Sequence, residues 1–305
     1  MSVSRTIESL AQVESVIREA FNFTVDKVRL RGVEGELTPH YGLRRSDNAY
    51  YVPVAVKSGF NPHTVDDIVA CAKAGVLTFK SGIVGSTVTA TWGTKGHRVI
   101  IAPSKEYRRS IFGTKDNLFP RLLIEGNYGS TFNFESGLYR DVCRNLMIAR
   151  SVQSIASIRF RHTHSLTTRI DEMVSAMSVT AQNFESAADV AESLAARKTS
   201  VADFLATLYP VADDSSGKAL TQAKNRTEKI INRILNERAL VGNTSTDLSE
   251  GTLWELLNGI TGYVQHDKTR HKIGGQSMGQ VDRALSAVND AESIAAWDLA
   301  VALAS

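Results

Sequence analysis

Residues 87–102, TVTATWGTKGHRVIIA, carry the strongest β signal in the chain. Val88, Ala90 and Trp92 alternate with Thr87, Thr89 and Thr91, so the apolar side chains share one face of an extended segment and the threonines share the other. Gly-Thr-Lys-Gly then supplies a turn, and RVIIA returns alongside. The stretch predicts a hairpin with one buried face, and the rest of the first half is read outward from it.

Downstream lies a basic loop, SKEYRRSIFGTKDN (104–117), followed by a third apolar strand, LFPRLLIEG (118–126). In ESGLYRDVCRNLMIA (135–149), Leu138, Val142 and Leu146 recur every four residues, which predicts a helix and gives a β-β-β-α order. Upstream, TIESLAQVESVIREAF reads as a helix with Ile7, Leu10, Ile17 and Phe21 near one face and Thr6 as its cap. FTVDKVRLRGVEGEL and NAYYVPVAV read as strands, and HTVDDIVACAKAG as a helix stopped by Gly75. Beyond residue 165 the pattern is almost wholly helical, at about 166–197, 200–208, 218–240, 252–265 and 278–303 by apolar periodicity. Turn compositions break it at Pro210 with ADDSSG, at GNTSTDLSEG and at KIGGQSMGQ. The class is therefore α+β, with an N-terminal domain over 1–165 and a helical domain over 166–305.

Charge divides at the same place. Residues 1–165 hold 22 lysines and arginines against 14 aspartates and glutamates, whereas 166–305 hold 13 against 18. A basic half beside an acidic one is expected when one part meets a polyanion and the other packs, oligomerises or keeps the surface soluble. The cations of the first half are interleaved with aromatics. Lys95 and Arg98 flank the hairpin turn; Lys105, Tyr107, Arg108, Arg109 and Lys115 fill the next loop; Arg121 follows on the third strand. Arg140 and Arg144, four apart, share a face of the expected helix, and Arg159 and Arg161, two apart, share a strand face. Cationic groups neutralise phosphates and release counterions, while aromatic faces stack unpaired bases, so the pattern points to single-stranded nucleic acid.

Several classes are excluded or disfavoured. Gly217-Lys218 is followed by Ala219, and Ala212 stands where a phosphate-binding loop needs glycine, so no nucleotide-triphosphate motif is present. No Gly-x-Ser-x-Gly elbow occurs. His162 and His164 could chelate from one strand face, but no second pair completes a shell, and His266-Asp267 lacks an upstream histidine partner in its half. The expectation is no catalytic set, no metal and no cofactor. Cys71 and Cys143 lie far apart and outside any paired motif, consistent with buried thiols. The N-terminal residues lack a basic region followed by an apolar run, and no segment has the roughly 20 apolar residues of a membrane helix. A cytoplasmic protein without a membrane partner is expected.

The segment GTLWELLNGITGYVQHDKTRH (251–271) places Leu253, Leu256, Leu257, Ile260 and Val264 on one apolar stripe and ends in cationic groups, where the helix dipole favours them. Its Trp254, Asn258, Thr261, Tyr263 and His266 follow a W-x-x-x-N-x-x-T-x-Y-x-x-H spacing, and Arg140, Val142, Cys143, Asn145 and Met147 form an R-x-V-C-x-N-x-M element. Together these resemble a widespread family of phage- and plasmid-like proteins known only as a domain of unknown function, over roughly residues 120–300. The resemblance implies a mobile-element setting close to DNA metabolism. The β-β-β-α order is also similar to the core of single-strand annealing recombinases, which implies ATP-independent annealing by a homo-oligomeric ring or filament. The competing expectation is an interaction protein that modulates a host system without touching nucleic acid, its acidic helical half occupying a host protein's DNA site.

Overall fold

A computed structural model describes residues 2–47, 51–79, 82–92, 96–110, 117–129, 131–140, 146–147, 158–163, 169–170, 172, 184, 186–211, 217–268, 272–273, 276–277 and 290–305. The fold is mixed α+β, with strands and helices in the N-terminal part and helices at the C-terminus. Two compact units are present: residues 1–108, 120–136 and 154–183 form unit 1, and residues 109–119, 137–153 and 184–305 form unit 2.

Unit 1 is organised around the hairpin read first from the sequence. Strands β5 (Ser86–Trp92) and β6 (Gly96–Ala102) pair antiparallel, Val88 opposite Ile101 and Ala90 opposite Val99. Strand β1 (Ser2–Ile7) pairs with β5 on the other side, where Ser2 and Ser4 hydroxyls meet those of Thr91 and Thr89 at 2.9 and 2.7 Å. The threonine face is thus a polar ladder, and the opposite face carries Val88 and Ala90 into the core. Residues 120–127 of strand β8 (Asn117–Asn127) continue the sheet beside β6, with residues 131–136 of β9 (Thr131–Arg140) next and β11 (Ile158–Arg161) paired to them. Helices α1 (Leu10–Ala20) and α2 (Val65–Leu77) join that core through Val13, Val16 and Ile17, and through Ile68, Cys71 and Val76. A separate three-stranded sheet, β2 (Val25–Arg31), β3 (Leu37–Arg45) and β4 (Tyr51–Val56), buries Leu43, Val52 and Val56 around Tyr128.

Three local readings are corrected here. Residues 2–7 are a strand, and Ser9 caps α1 in place of Thr6, because the alternating Ser-Val-Ser pattern finds its partner in β5. Gly75 does not stop α2, which runs to Leu77. The helix expected over 135–149 is instead strand as far as Arg140, with a two-residue strand β10 at Leu146–Met147. The deciding pattern is the alternation just upstream, where Phe132 and Phe134 are buried opposite Phe160 and Ile158 of β11. That pairing outweighs the four-residue spacing of three leucine and valine side chains.

Unit 2 contains the two-residue strand β7 (Arg109–Ser110), the helical residues 186–196 (α3), and α4 (Val201–Leu208), α5 (Gly217–Leu240), α6 (Leu253–Tyr263) and α7 (Ala291–Ala304). Short strands β12 (Lys198–Ser200) and β13 (Glu250–Thr252) pair, and β14 (Lys272–Ile273) pairs with β15 (Gln276–Ser277). Helix α6 begins in a capping box between Thr252 and Glu255. It approaches α5 so closely that a Cβ on Gly259 would stand 2.4 Å from Ile234, so glycine is what permits the contact. The expected stripe Leu253, Leu256, Leu257, Ile260 and Val264 is fully buried.

Candidate functional site

The residues expected to bind nucleic acid fall into distinct environments. Arg98 is held by Glu125 on the adjacent strand at 2.6 Å and is mostly covered. Arg109 makes a two-pronged contact with Glu192, both bonds 2.9 Å, and a further ion pair with Asp189 at 2.7 Å; these bonds push its guanidinium pKa up. Neither charge is presented alone to a ligand. Tyr107, Arg108 and Arg121 are half-buried, whereas Lys105, Arg159 and Arg161 are exposed. Arg140 lies on β9 rather than on a helix, so the shared helical face with Arg144 does not exist as expected. Lys95, Lys115 and Arg144 lie outside the described residues, as do Cys143 and His164. Asp267 is engaged by Arg233 at 2.7 and 3.1 Å, and among the described residues no three histidine, cysteine or carboxylate side chains are arranged to hold a metal ion.

A different cluster forms in unit 1. His97 points inward from β6 in the same alternation as Val99 and Ile101. His63 precedes Thr64, whose side chain caps α2 in a second capping box. His162 follows β11, and its carbonyl accepts the backbone N–H of Asn61. The three rings meet end to end: His63 Nδ1 lies 2.9 Å from His162 Nε2, and His63 Nε2 lies 2.7 Å from His97 Nδ1. All three are 3% exposed or less, so this is interior chemistry. Tyr128 stacks on His63 at 4.1 Å and donates its hydroxyl proton to the His63 carbonyl at 3.0 Å. Phe60 stacks on His162, and Phe21 meets His97 edge-on at 4.5 Å. Opposite His97, residue 126 must be glycine, since a Cβ there would be 2.1 Å from His63 Nε2.

Burial sets the electrostatics. It pushes the His63 pKa well below its ordinary value, with the neighbouring His97 and His162 adding to the effect. His97 is pushed down to about 3, by burial first and then by the positive charge of Arg45. Arg45 lies 3.7 Å over the Phe23 ring and 4.5 Å over Trp92, and its Nε binds Asp47 at 3.0 Å. Burial likewise pushes the Tyr128 hydroxyl well above its ordinary value. His63 and His97 are therefore uncharged at neutral pH. A histidine that uses both ring nitrogens on its neighbours, as His63 does, is not arranged as a metal ligand.

A cleft of about 720 Å³ opens onto this cluster, lined by the end of α1 and the start of β2 (Phe21–Lys27), by Pro62–Asp66, and by His97 and Tyr128. Composition and charge gave no hint of it, since the three histidines are 34 to 99 residues apart. The inward phase of His97 in the hairpin was the available signal.

Among the described residues no helix is long and apolar enough to cross a membrane. Neither a curated protein nor a solved structure matches the chain. Residues 86–288 match the model of a domain of unknown function, DUF932, a span that covers well over half of the sequence and includes His97, Tyr128 and His162. The chain belongs to the DUF932 family.

Proposed function

We propose that this protein binds single-stranded DNA and acts as an ATP-independent, annealing-type recombination protein of a phage or plasmid, working as a homo-oligomer in the host cytoplasm. The observation that carries the reading is the exposure of Arg159 and Arg161, two apart on β11 and so on one strand face, in the half of the chain with the cationic excess. Lys105 is a third exposed cation of the same unit. Charges presented this way suit a phosphate backbone and carry no base-reading geometry, which favours binding without sequence preference. The carboxylates that hold Arg98 and Arg109 make those two weaker candidates for phosphate contacts.

Gel shifts with labelled single- and double-stranded oligonucleotides across a salt series test the proposal. Single strands should bind in preference to duplex, with affinity falling as salt rises. The double variant Arg159→Ala, Arg161→Ala should bind more weakly and lose about 0.7 of salt slope for each phosphate contact removed. Absence of binding at low salt overturns the reading and leaves the protein-interaction alternative, for which a partner captured from nuclease-treated host lysate is the expected result.

A further inference from the structure

We propose that the cleft of unit 1 binds an uncharged nitrogen heterocycle of nucleobase or nucleoside size, seated by a hydrogen bond to His97 Nε2. The inference stands apart from strand binding through Arg159 and Arg161, because it rests on the cleft alone.

Size is the first argument. At about 720 Å³ the cleft falls within the roughly 300–1,000 Å³ of small-molecule sites. The second is an unmet valence on a ring that lines it. His97 is 1% exposed and lines the cleft, yet its Nε2 has no hydrogen-bond partner among the described residues, while its Nδ1 is occupied by His63. A buried ring nitrogen left unpaired is costly, and a ligand atom that reaches it removes the cost.

The chain of three rings restricts what that atom can be. A neutral imidazole has one N–H and one bare nitrogen, so the tautomers of His97, His63 and His162 are coupled. If His162 Nε2 donates to His63 Nδ1 and His63 Nε2 donates to His97 Nδ1, then His97 Nε2 carries the hydrogen and is a donor without a protein acceptor among the described residues. In the reversed arrangement His97 Nδ1 donates, and Nε2 presents a lone pair. A nucleobase edge places ring nitrogens, carbonyls and amino groups side by side, so it meets either arrangement.

Charge excludes the ionic alternatives. The charged side chains lining the cleft are Arg18 and Lys27 against Asp26 and Asp66, and burial keeps the histidines neutral, which leaves no net charge to hold an anion or a cation. Arg18 is in addition bound to Glu14 and Asp66, and the Lys27 ammonium to the Ser58 carbonyl. Phe21, Phe23 and Val25 supply apolar wall suited to the body of a planar ring.

The test is titration of the full chain, labelled with ¹⁵N in its histidines, with adenosine, guanosine, cytidine and uridine, using ribose as the non-aromatic control and adenosine monophosphate as the charged one. At least one nucleoside should shift the His97 Nε2 resonance saturably, ribose should not, and the added phosphate should weaken binding. His97→Phe, which keeps a ring and removes both nitrogens, should lower nucleoside affinity at least tenfold. Should that variant fail to fold, the wild-type resonance still decides. The variant lacking Arg159 and Arg161 should retain nucleoside binding, which separates this inference from strand binding. No His97 shift with any nucleoside at millimolar concentration, or an equal response to ribose, overturns it.

Discussion

Unit 1 buries three histidines that serve as one another's partners, whereas unit 2 buries an arginine that keeps its charge and a glutamine whose amide has no partner among the described residues. In unit 1 the cluster sheds charge: burial depresses the pKa of His63 and His97, and ring-to-ring bonds replace water. Arg238 in unit 2 is 3% exposed and cannot shed its proton, so the chain is built around it. Its guanidinium binds the Glu255 carboxylate at 3.2 Å, the Glu250 carbonyl at 2.6 Å and the Asp247 carbonyl. Those contacts tie the loop after α5 back onto the helix, and Glu255 also completes the capping box of α6. The difference is that a neutral buried cluster can leave one end open for a ligand, whereas a buried charge must be closed on every side to be tolerated.

Removing the buried charge should give the largest effect. Arg238→Ala leaves Glu255 mostly buried without its cation and strips two loop carbonyls of a donor, so urea unfolding should show a loss of about 3–5 kcal/mol. A loss near the 0–1 kcal/mol of an exposed pair would show that the closure around Arg238 is not what holds the loop.

Acid should separate the two units next. The unfolded chain's histidines titrate near 6.5, while His97 in the fold titrates at about 3 and His63 is also depressed. Between those values the unfolded state binds more protons, so stability is fully present above about pH 6.5 and declines as pH falls toward about 3. Unfolding midpoints measured down this range should fall in the wild type and fall less steeply in His97→Phe. The Arg238→Ala variant should keep the wild-type slope from the histidines, since that arginine stays charged throughout. A slope unaffected by His97→Phe would mean that the cluster is protonated in the fold and does not exclude charge.

How much of this was legible in the sequence depended on whether the pattern was local. The hairpin of β5 and β6 was, because Val88, Ala90 and Trp92 alternate within a few residues, and so was the stripe of α6. The mixed class followed from those two. The strand β9 was not, because Leu138 and its spaced neighbours imitate a helix face while the pairing that decides the matter comes from Ile158–Arg161. FTVDKVRLRGVEGEL read as one strand, although the turn ending near Gly35, with its positive φ of 85°, splits it into β2 and β3. The cleft was invisible for a related reason: His63, His97 and His162 come from a loop, a hairpin and a strand end, and only the folded sheet brings them together. Basic residues were easy to see in the sequence, but their carboxylate partners were not. Arg98 meets Glu125 across a strand pair, and Arg109 meets Glu192 from far along the chain.

The smallest effect, and the one with the opposite sign, concerns Gln265. It is fully buried in the wide turn that follows α6, Val264–Lys268, and neither its amide nitrogen nor its amide oxygen has a partner among the described residues. Nearby Asn258 differs, because its amide nitrogen donates to the Trp254 carbonyl at 2.7 Å and only its oxygen lacks a partner among the described residues. Methionine matches glutamine in length and flexibility without the amide, so Gln265→Met should remove two unpaired polar atoms at little cost in packing. Unfolding in urea should show a gain of about 1–2 kcal/mol, since leaving such groups unpaired costs about that much. The corresponding Asn258→Leu change should bring no gain, because it also removes the hydrogen bond that the Asn258 amide nitrogen makes to the Trp254 carbonyl. A destabilised Gln265→Met would show that water or another group satisfies the amide in solution, and unit 2 would then hold a buried polar site open to a small ligand, as unit 1 does at His97.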